Sequence, residues 1–389
     1  MVNQLIWLLS FFTLFSFLPV FAQGQSPLTV GAEQFEQYLP QVQDKKLALV
    51  VNQTSRVGEK HLVDALLEKE LAIVKIFSPE HGFRGDADAG EQVANGTDPT
   101  TGLPLVSLYG KNKKPTAEQL QDVDVVIFDI QDVGVRFYTY ISTLHYVMEA
   151  CAENGKTLIV LDRPNPNGDY VDGPVLRSNY RSFVGLDPLP IVHGVTVGEL
   201  AEMINGEKWL KGGLTCELFV VPVKNYTHST SYSLPVKPSP NLPNDQSIRL
   251  YPSLCLFEGT RVSIGRGTTF PFQVIGYPDK RFGDFSFTPK SIEGMAKYPK
   301  LENEVCYGVD LRKKKPKKFN LSYLIDFYLK SDSKEDFFNA FFDKLAGNSE
   351  LKEQIKAGFD EKEIRVSWVE DLLKYKAIRK KYLLYPDFE

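Results

Sequence analysis

Glu80-His81-Gly82 is the sharpest local feature of the sequence. A carboxyl beside an imidazole, on a loop pinned by Pro79 and Gly82, suits proton transfer near neutral pH. The same pair also reads as a helix cap followed by a hydrogen-bonded loop histidine. Asp129 and Asp132 form a second acidic site around Gln131, with Arg136 just beyond. Asn52, Gln53, Thr54 and Ser55 make a third polar cluster, and Asp162, Arg163, Asn165 and Asn167 a fourth. Asp162 and Asn165 would serve equally well to shape the Pro164–Pro166 turn. A metal site built from Glu80, His81 and Asp129 has no ligand spacing behind it, so no metal is assigned.

A glycine-rich cluster follows further along: Glu258-Gly259-Thr260, then Ser263, Gly265, Arg266, Gly267 and Thr268. It does not match the dinucleotide fingerprint, and no GxxxxGK[ST] run occurs. The glycines are expected to let backbone approach a ligand or another domain. Asn241 and Asn244, held among prolines, offer amide groups of the type that bind sugar hydroxyls.

Each polar cluster of the first half follows an apolar run that reads as a strand. The runs are 46–51, 72–77, 124–128 and 157–161, all rich in β-branched or aliphatic residues. Helical spacing between them covers 61–70 and 141–154, with Gly155 as a C-cap. Strand–helix alternation with near-continuous apolar strands predicts an α/β fold on a parallel sheet covered on both faces. In such a sheet ligands bind beyond the carboxyl ends of the strands, so the four clusters are expected on one rim. Thr196 to Glu199 reads as a capping box opening a helix through Asn205, which gives Glu199 a structural task. Residues 217–223 read as a further strand, and 226–244 as a long loop. Beyond a boundary near 245 the pattern changes: strands are expected over 258–264 and 270–277, and mostly helix over 321–345 and 351–382.

The chain has 389 residues, 43% hydrophobic, enough for two domains. Net charge is −4 with mixed signs, and no basic face points to nucleic acid. The lysine run at 313–318 is broken by Pro316 and reads as a solvated loop. Residues 5–18 are almost wholly apolar, and Val20-Phe21-Ala22 resembles a cleavage site before Gln23. Residues 1–22 therefore read as a signal peptide, which predicts an exported, periplasmic or extracellular protein without stable membrane insertion after cleavage. An uncleaved anchor is the competing reading. Cys151, Cys216, Cys255 and Cys306 are scattered without CxxC spacing and are expected as buried free thiols.

The stretches Ser78-Pro-Glu-His-Gly82, Phe128-Asp-Ile-Gln-Asp-Val-Gly-Val-Arg-Phe-Tyr-Thr-Tyr140, Leu161-Asp-Arg-Pro-Asn-Pro166, Ser239-Pro-Asn-Leu-Pro243, Phe257-Glu-Gly-Thr260 and Gly265-Arg-Gly-Thr268 together resemble the exo-β-N-acetylmuramidase family of glycosidases. The resemblance covers essentially the whole chain after residue 22. It implies release of N-acetylmuramic acid from the non-reducing end of peptidoglycan fragments, without a cofactor. It also implies a Rossmann-like domain over 23–245, a smaller C-terminal α+β domain over 246–389, and an active-site cleft between them.

Glycoside hydrolysis usually needs two carboxyl groups. Glu80, beside His81, is the candidate general acid, and Asp129, Asp132 or Glu258 the second group. Attack by the sugar's own 2-acetamido carbonyl is the alternative, with the second residue only orienting the amide. The lactyl carboxylate asks for a cation, with Arg136, Arg163, Arg84 and Arg266 as candidates in that order. Asn52 and Asn241 are further substrate-binding candidates, and Phe83, Tyr109, Tyr138 and Tyr140 candidates for stacking on sugar faces. Two other classes compete: a non-catalytic binder of wall sugar, and a metal-dependent esterase or amidase.

Overall fold

The structure is a computed structural model that describes residues 27–80, 82–83, 95–316 and 318–389. The expected signal peptide lies outside the described residues. None of the described helices is long and apolar enough to cross a membrane.

The expected strands form the centre of a seven-stranded sheet among the described residues. Its spatial order is Gly96–Thr97, Pro104–Ser107, Ile73–Ser78, Leu47–Val51, Val125–Asp129, Thr157–Leu161 and Glu217–Val221. All neighbouring pairs run parallel except the edge strand Gly96–Thr97. Counting only the parallel strands along the chain, the order is 3-2-1-4-5-6, the doubly wound arrangement with its switch point between the first and fourth.

Side-chain alternation along these strands fills two cores. Ala48, Val50, Val126, Phe128, Leu158 and Val160 face one, and Leu47, Leu49, Val125, Ile127, Ile159 and Leu161 the other. Helices Tyr140–Asn154 and Val197–Gly206 cover the first face, and Phe35–Val42 with Leu62–Leu67 the second. Gly155 closes the long helix in the left-handed conformation. The Thr196–Glu199 capping box is present in both directions, so Glu199 does the structural task read from the sequence.

The C-terminal half packs onto the first face, and its Phe257, Phe327 and Phe342 belong to the same buried cluster as Leu144 and Met148. It carries a three-stranded antiparallel sheet, ordered Val274–Tyr277, Cys306–Asp310, Phe285–Phe287. The expected strand at 258–264 is absent. Residues Cys255–Gly259 instead form a short 3-10 turn, where a Cβ on Gly259 would lie 2.4 Å from the Cα of Phe342. The expected helices at 321–345 and 351–382 are broken into Ser322–Lys330, Phe342–Ala346, Glu350–Lys356, Glu361–Val366 and Val369–Arg379. The tail returns to the first half, where Tyr385 donates to Asp162 and Arg379 to the carbonyl of Gly194. All four cysteines are buried and free.

Candidate active site

A cavity of about 280 Å³ lies between the two halves, at the low end for small-ligand pockets. Glu80, Tyr109, Tyr138 and Thr139 line it from the sheet half, and Tyr251, Glu258, Arg266 and Phe272 from the other. Asn241 enters from the long proline-rich loop that joins them.

Glu80 follows the strand Ile73–Ser78 directly. The turn that holds it is closed by the N–H of Gly82 donating to the carbonyl of Pro79 at 3.1 Å, with Gly82 at φ 76°. That conformation favours glycine. Thr139 Oγ1 donates to Glu80 Oε2 at 3.1 Å, and Tyr140 Oη to the Glu80 carbonyl at 3.3 Å. Tyr109 also bonds the Glu80 side chain, and its phenol is pushed well above the usual range by burial and by that neighbouring carboxyl. His81 and Arg84 lie outside the described residues.

Glu258 comes from the 3-10 turn Cys255–Gly259 on the opposite wall. Arg266 Nε donates to its Oε1, and the same guanidinium sits 5.1 Å over the Phe272 ring. Burial raises the Glu258 pKa, but the charges of Arg266 and Lys300 outweigh it and hold the carboxyl below its ordinary value. Glu258 is therefore a carboxylate at neutral pH. Arg266 makes no other hydrogen bond to a described residue, which leaves its terminal nitrogens for a ligand. Asn241 Nδ2 donates to the carbonyl of Met295 at 2.6 Å. Its Oδ1 is buried without a partner among the described residues, and so is available as an acceptor.

Asp129, Asp132, Asn52, Arg163 and Arg136 do not line this cavity. Asp129 is fully buried in a bidentate pair with Arg163, at 2.5 and 2.9 Å. Arg163 also donates to the carbonyl of Arg56 at 2.9 Å. Asp132 accepts from the Gly134 N–H at 2.6 Å and lies 3.3 Å from His193 Nε2. Asn52 accepts from the N–H and hydroxyl of Thr54. These groups tie the strand ends to one another. Arg136, first in the order for the lactyl carboxylate, is wholly buried. It donates to the carbonyls of Pro174, Leu189 and Leu345 at 2.9, 2.7 and 2.8 Å. Tyr138 does line the cavity, with its hydroxyl donating to Pro238 O at 2.6 Å. Tyr140 lines it too. Thr139, Phe183, Tyr251 and Phe272 were not foreseen. Thr139 had a signal, since it sits inside the Tyr138-Thr-Tyr140 stretch, whereas Phe183 and Tyr251 lie in segments to which the sequence assigns no element and Phe272 in the expected strand 270–277.

Two carboxyl groups in different surroundings, both lining one small polar and aromatic cavity, are the kind of pair glycoside hydrolysis uses. Fold and site together place the chain among the glycoside hydrolases. The family models described as exo-β-N-acetylmuramidase NamZ match most of it, the N-terminal one over residues 47–246 and the C-terminal one over 249–385. The chain belongs to the exo-β-N-acetylmuramidase NamZ family. It is 41% identical over 380 residues to the peptidoglycan β-N-acetylmuramidase NamZ of Bacillus subtilis (strain 168), covering 90% of this chain and 89% of that one. Two crystal structures of DUF1343 family proteins from Bacteroides fragilis NCTC 9343 share the fold. One has a TM-score of 0.87 and 48% identity over 93% of this chain and 100% of its own. The other has a TM-score of 0.80 and 31% identity over 92% and 99%.

Proposed function

We propose that this chain is an exo-acting β-N-acetylmuramidase that hydrolyses the β-1,4 bond and releases N-acetylmuramic acid from the non-reducing end of peptidoglycan fragments. The observation that carries the reading is the meeting of Glu80 and Glu258 on one cavity between the two halves of a NamZ-family chain. Glu80 is the general acid that protonates the leaving oxygen. Glu258, held ionised by Arg266 and Lys300, is the second group. As a carboxylate it is suited to attack the anomeric carbon, to activate water, or to polarise the sugar's acetamido N–H. The terminal nitrogens of Arg266 take the lactyl carboxylate, and Asn241 Oδ1 accepts from a sugar hydroxyl or amide. Tyr138, Tyr251 and Phe272 supply the apolar wall.

The test is an assay on chromogenic β-N-acetylmuramide, β-N-acetylglucosaminide and acetate ester, each with and without chelator. Turnover of the muramide alone, unaffected by chelator, is expected. Ester cleavage that chelation abolishes would replace the reading with a metal-dependent esterase, and binding without turnover would leave a wall-sugar binder. Export is part of the same proposal, because the apolar segment ending at Ala22 resembles a signal peptide and the polymer lies outside the cytoplasm. Secreted material should begin near Gln23, and material beginning at Met1 would count against export.

A further inference from the structure

We propose that Lys300 is a positioning residue: its ammonium caps the short turn that carries Glu258 and so sets that side chain, beside Arg266, at the cavity wall. The inference rests on the reading of Glu258 as the second carboxyl group. At the end of the 3-10 turn Cys255–Gly259 the Phe257 carbonyl accepts from the Thr260 N–H, whereas the Arg261 N–H turns away to Phe337 and leaves the Glu258 carbonyl without a donor inside the turn. Lys300 reaches back from a loop some forty residues later to meet these carbonyls. Its Nζ donates to Phe257 O at 3.1 Å and to Thr260 O, and lies 3.5 Å from Glu258 O. Asn339 Nδ2 adds a contact to the same Glu258 carbonyl at 3.4 Å. The turn is thus clamped by Lys300, which with Glu258 and Arg266 lines a second space of about 420 Å³ that adjoins the first through those two shared residues.

The charges support this placement. Burial depresses the Lys300 ammonium, the Glu258 carboxylate pulls it back up, and Arg266 opposes it. The groups that face Glu258 are Arg266 and Lys300, which stabilise its charge, together with Cys255 on its own turn and Tyr251 on the helix Asp245–Leu254. The helix Phe342–Ala346 meets the turn through Phe342, an apolar contact. Two cations therefore keep a half-buried glutamate ionised. Arg266 does so from the cavity lining, where a sugar carboxylate would compete for it, and Lys300 from outside that lining. When the terminal nitrogens of Arg266 share its charge with a lactyl group, Lys300 is the second cation that still acts on Glu258.

The experiment measures kcat and KM on a chromogenic β-N-acetylmuramide from about pH 4.5 to 8. Lys300→Gln keeps donors for the carbonyls but removes the charge, and Lys300→Arg keeps the charge. Loss of a nearby opposite charge raises a carboxyl pKa by roughly one unit or more. Lys300→Gln should therefore move the acid limb of kcat upward by about one pH unit, while KM at pH 7.5 changes less than about threefold. Lys300→Arg should leave the limb in place. A folded Lys300→Gln enzyme with the wild-type limb would overturn the inference. If Lys300→Gln does not fold, Lys300→Arg decides alone, and a displaced limb there overturns it equally. Glu258→Gln run in parallel separates the two layers. Full activity of Glu258→Gln sinks the reading of Glu258 itself, whereas an inactive Glu258→Gln with an unmoved limb in Lys300→Gln sinks only the role of Lys300.

Discussion

Replacing Arg136 with Met separates two accounts of the same residue. Its place in the Phe128–Tyr140 stretch suggests a cation for the substrate carboxylate, but the fold uses it as a buried clamp. Three carbonyls accept from it, those of Pro174 and Leu189 in the first half and of Leu345 in the second, and Leu189 also keeps the Leu176 N–H as a donor. Leu345 lines the catalytic cavity, so the clamp also sets where the two halves meet. Each buried carbonyl left without a donor costs about 1–3 kcal/mol. Removing the guanidinium also removes its desolvation penalty of several kcal/mol, which is visible as a pKa lowered by burial to about 9. Methionine refills most of the volume. With two carbonyls left bare, the balance is a net loss of about 1–3 kcal/mol, within the range of ordinary single substitutions. Urea unfolding followed by tryptophan fluorescence should show the midpoint falling at unchanged slope. The folded fraction should keep its ratio of muramide to glucosaminide turnover within about threefold. A variant as stable as wild type that loses that preference tenfold would refute the clamp and return the lactyl carboxylate to Arg136.

Glu80→Gln should lower turnover of the natural disaccharide by about 10²–10⁴-fold and cost much less on an aryl glycoside with a good leaving group. Equal losses on both substrates would reduce Glu80 to a positioning role. Arg266→Gln should cut the preference for muramide over glucosaminide by roughly tenfold or more, the worth of a charge-assisted bond of about 1.5–3 kcal/mol; an unchanged ratio would remove Arg266 from substrate recognition. Asp162 is pushed up to about 6 by burial, with Glu199 adding to it and bonds from Tyr385, Thr196 and Gly198 opposing. A carboxyl with a folded pKa above its unfolded value of about 3.9 binds more protons in the native state between those limits, so its contribution to stability falls as pH rises from about 4 to 6. Relative to Asp162→Asn, wild type should lose about 2–3 kcal/mol across that window, and parallel urea curves for the two proteins would defeat the assignment.

The sheet was legible because its signal is strong and local. Leu47–Val51, Ile73–Ser78, Val125–Asp129 and Thr157–Leu161 are each continuous apolar runs followed by polar residues, which only a doubly covered parallel strand explains. Gly96–Thr97 and Pro104–Ser107 carry no such signal, being short, partly exposed and placed at an edge. In the second half, Phe285–Phe287 and Cys306–Asp310 are too short for a period to show, and they pair across a gap of about twenty residues. The stretch 258–264 mixes glycine with β-branched residues and so resembles a strand. Its backbone is instead set by contact with Phe342 and by isolated bridges from Thr260 to Phe338 and Ser263 to Gly276, all distant in sequence. For Arg136 a signal did exist: Val133, Val135, Phe137 and Tyr138 around it are all buried, and an arginine embedded among such neighbours is more readily a clamp than a ligand.

The polar strand ends divide by distance from the switch point. Asn52 and Asp129 follow the two strands that flank it, the place where ligands of a doubly wound sheet ordinarily bind. Here that crevice is filled by the protein itself: Arg163 spans Asp129, Ser55 bonds the Asp129 carbonyl, and Thr54 takes the N–H of Gln131. The C-terminal half then seats on one face of the sheet, and the open space moves outward to the loop ends, where Glu80, Tyr109 and Thr139 remain. This displacement explains the contrast between the two glutamates. Glu80 is oriented by the hydroxyls of Thr139 and Tyr109, which belong to the same half, so the bonds described for its side chain come from the first half. Glu258 is held by Arg266 and Lys300 within the second half, so its charge is fixed there. The distance between them is then set by how the halves dock, through Arg136 to Leu345 and through the returning tail. A pair built this way can have its charges and its spacing altered separately. A mutation at the docking contacts should disturb the geometry of hydrolysis while leaving each carboxyl's own pH limb in place.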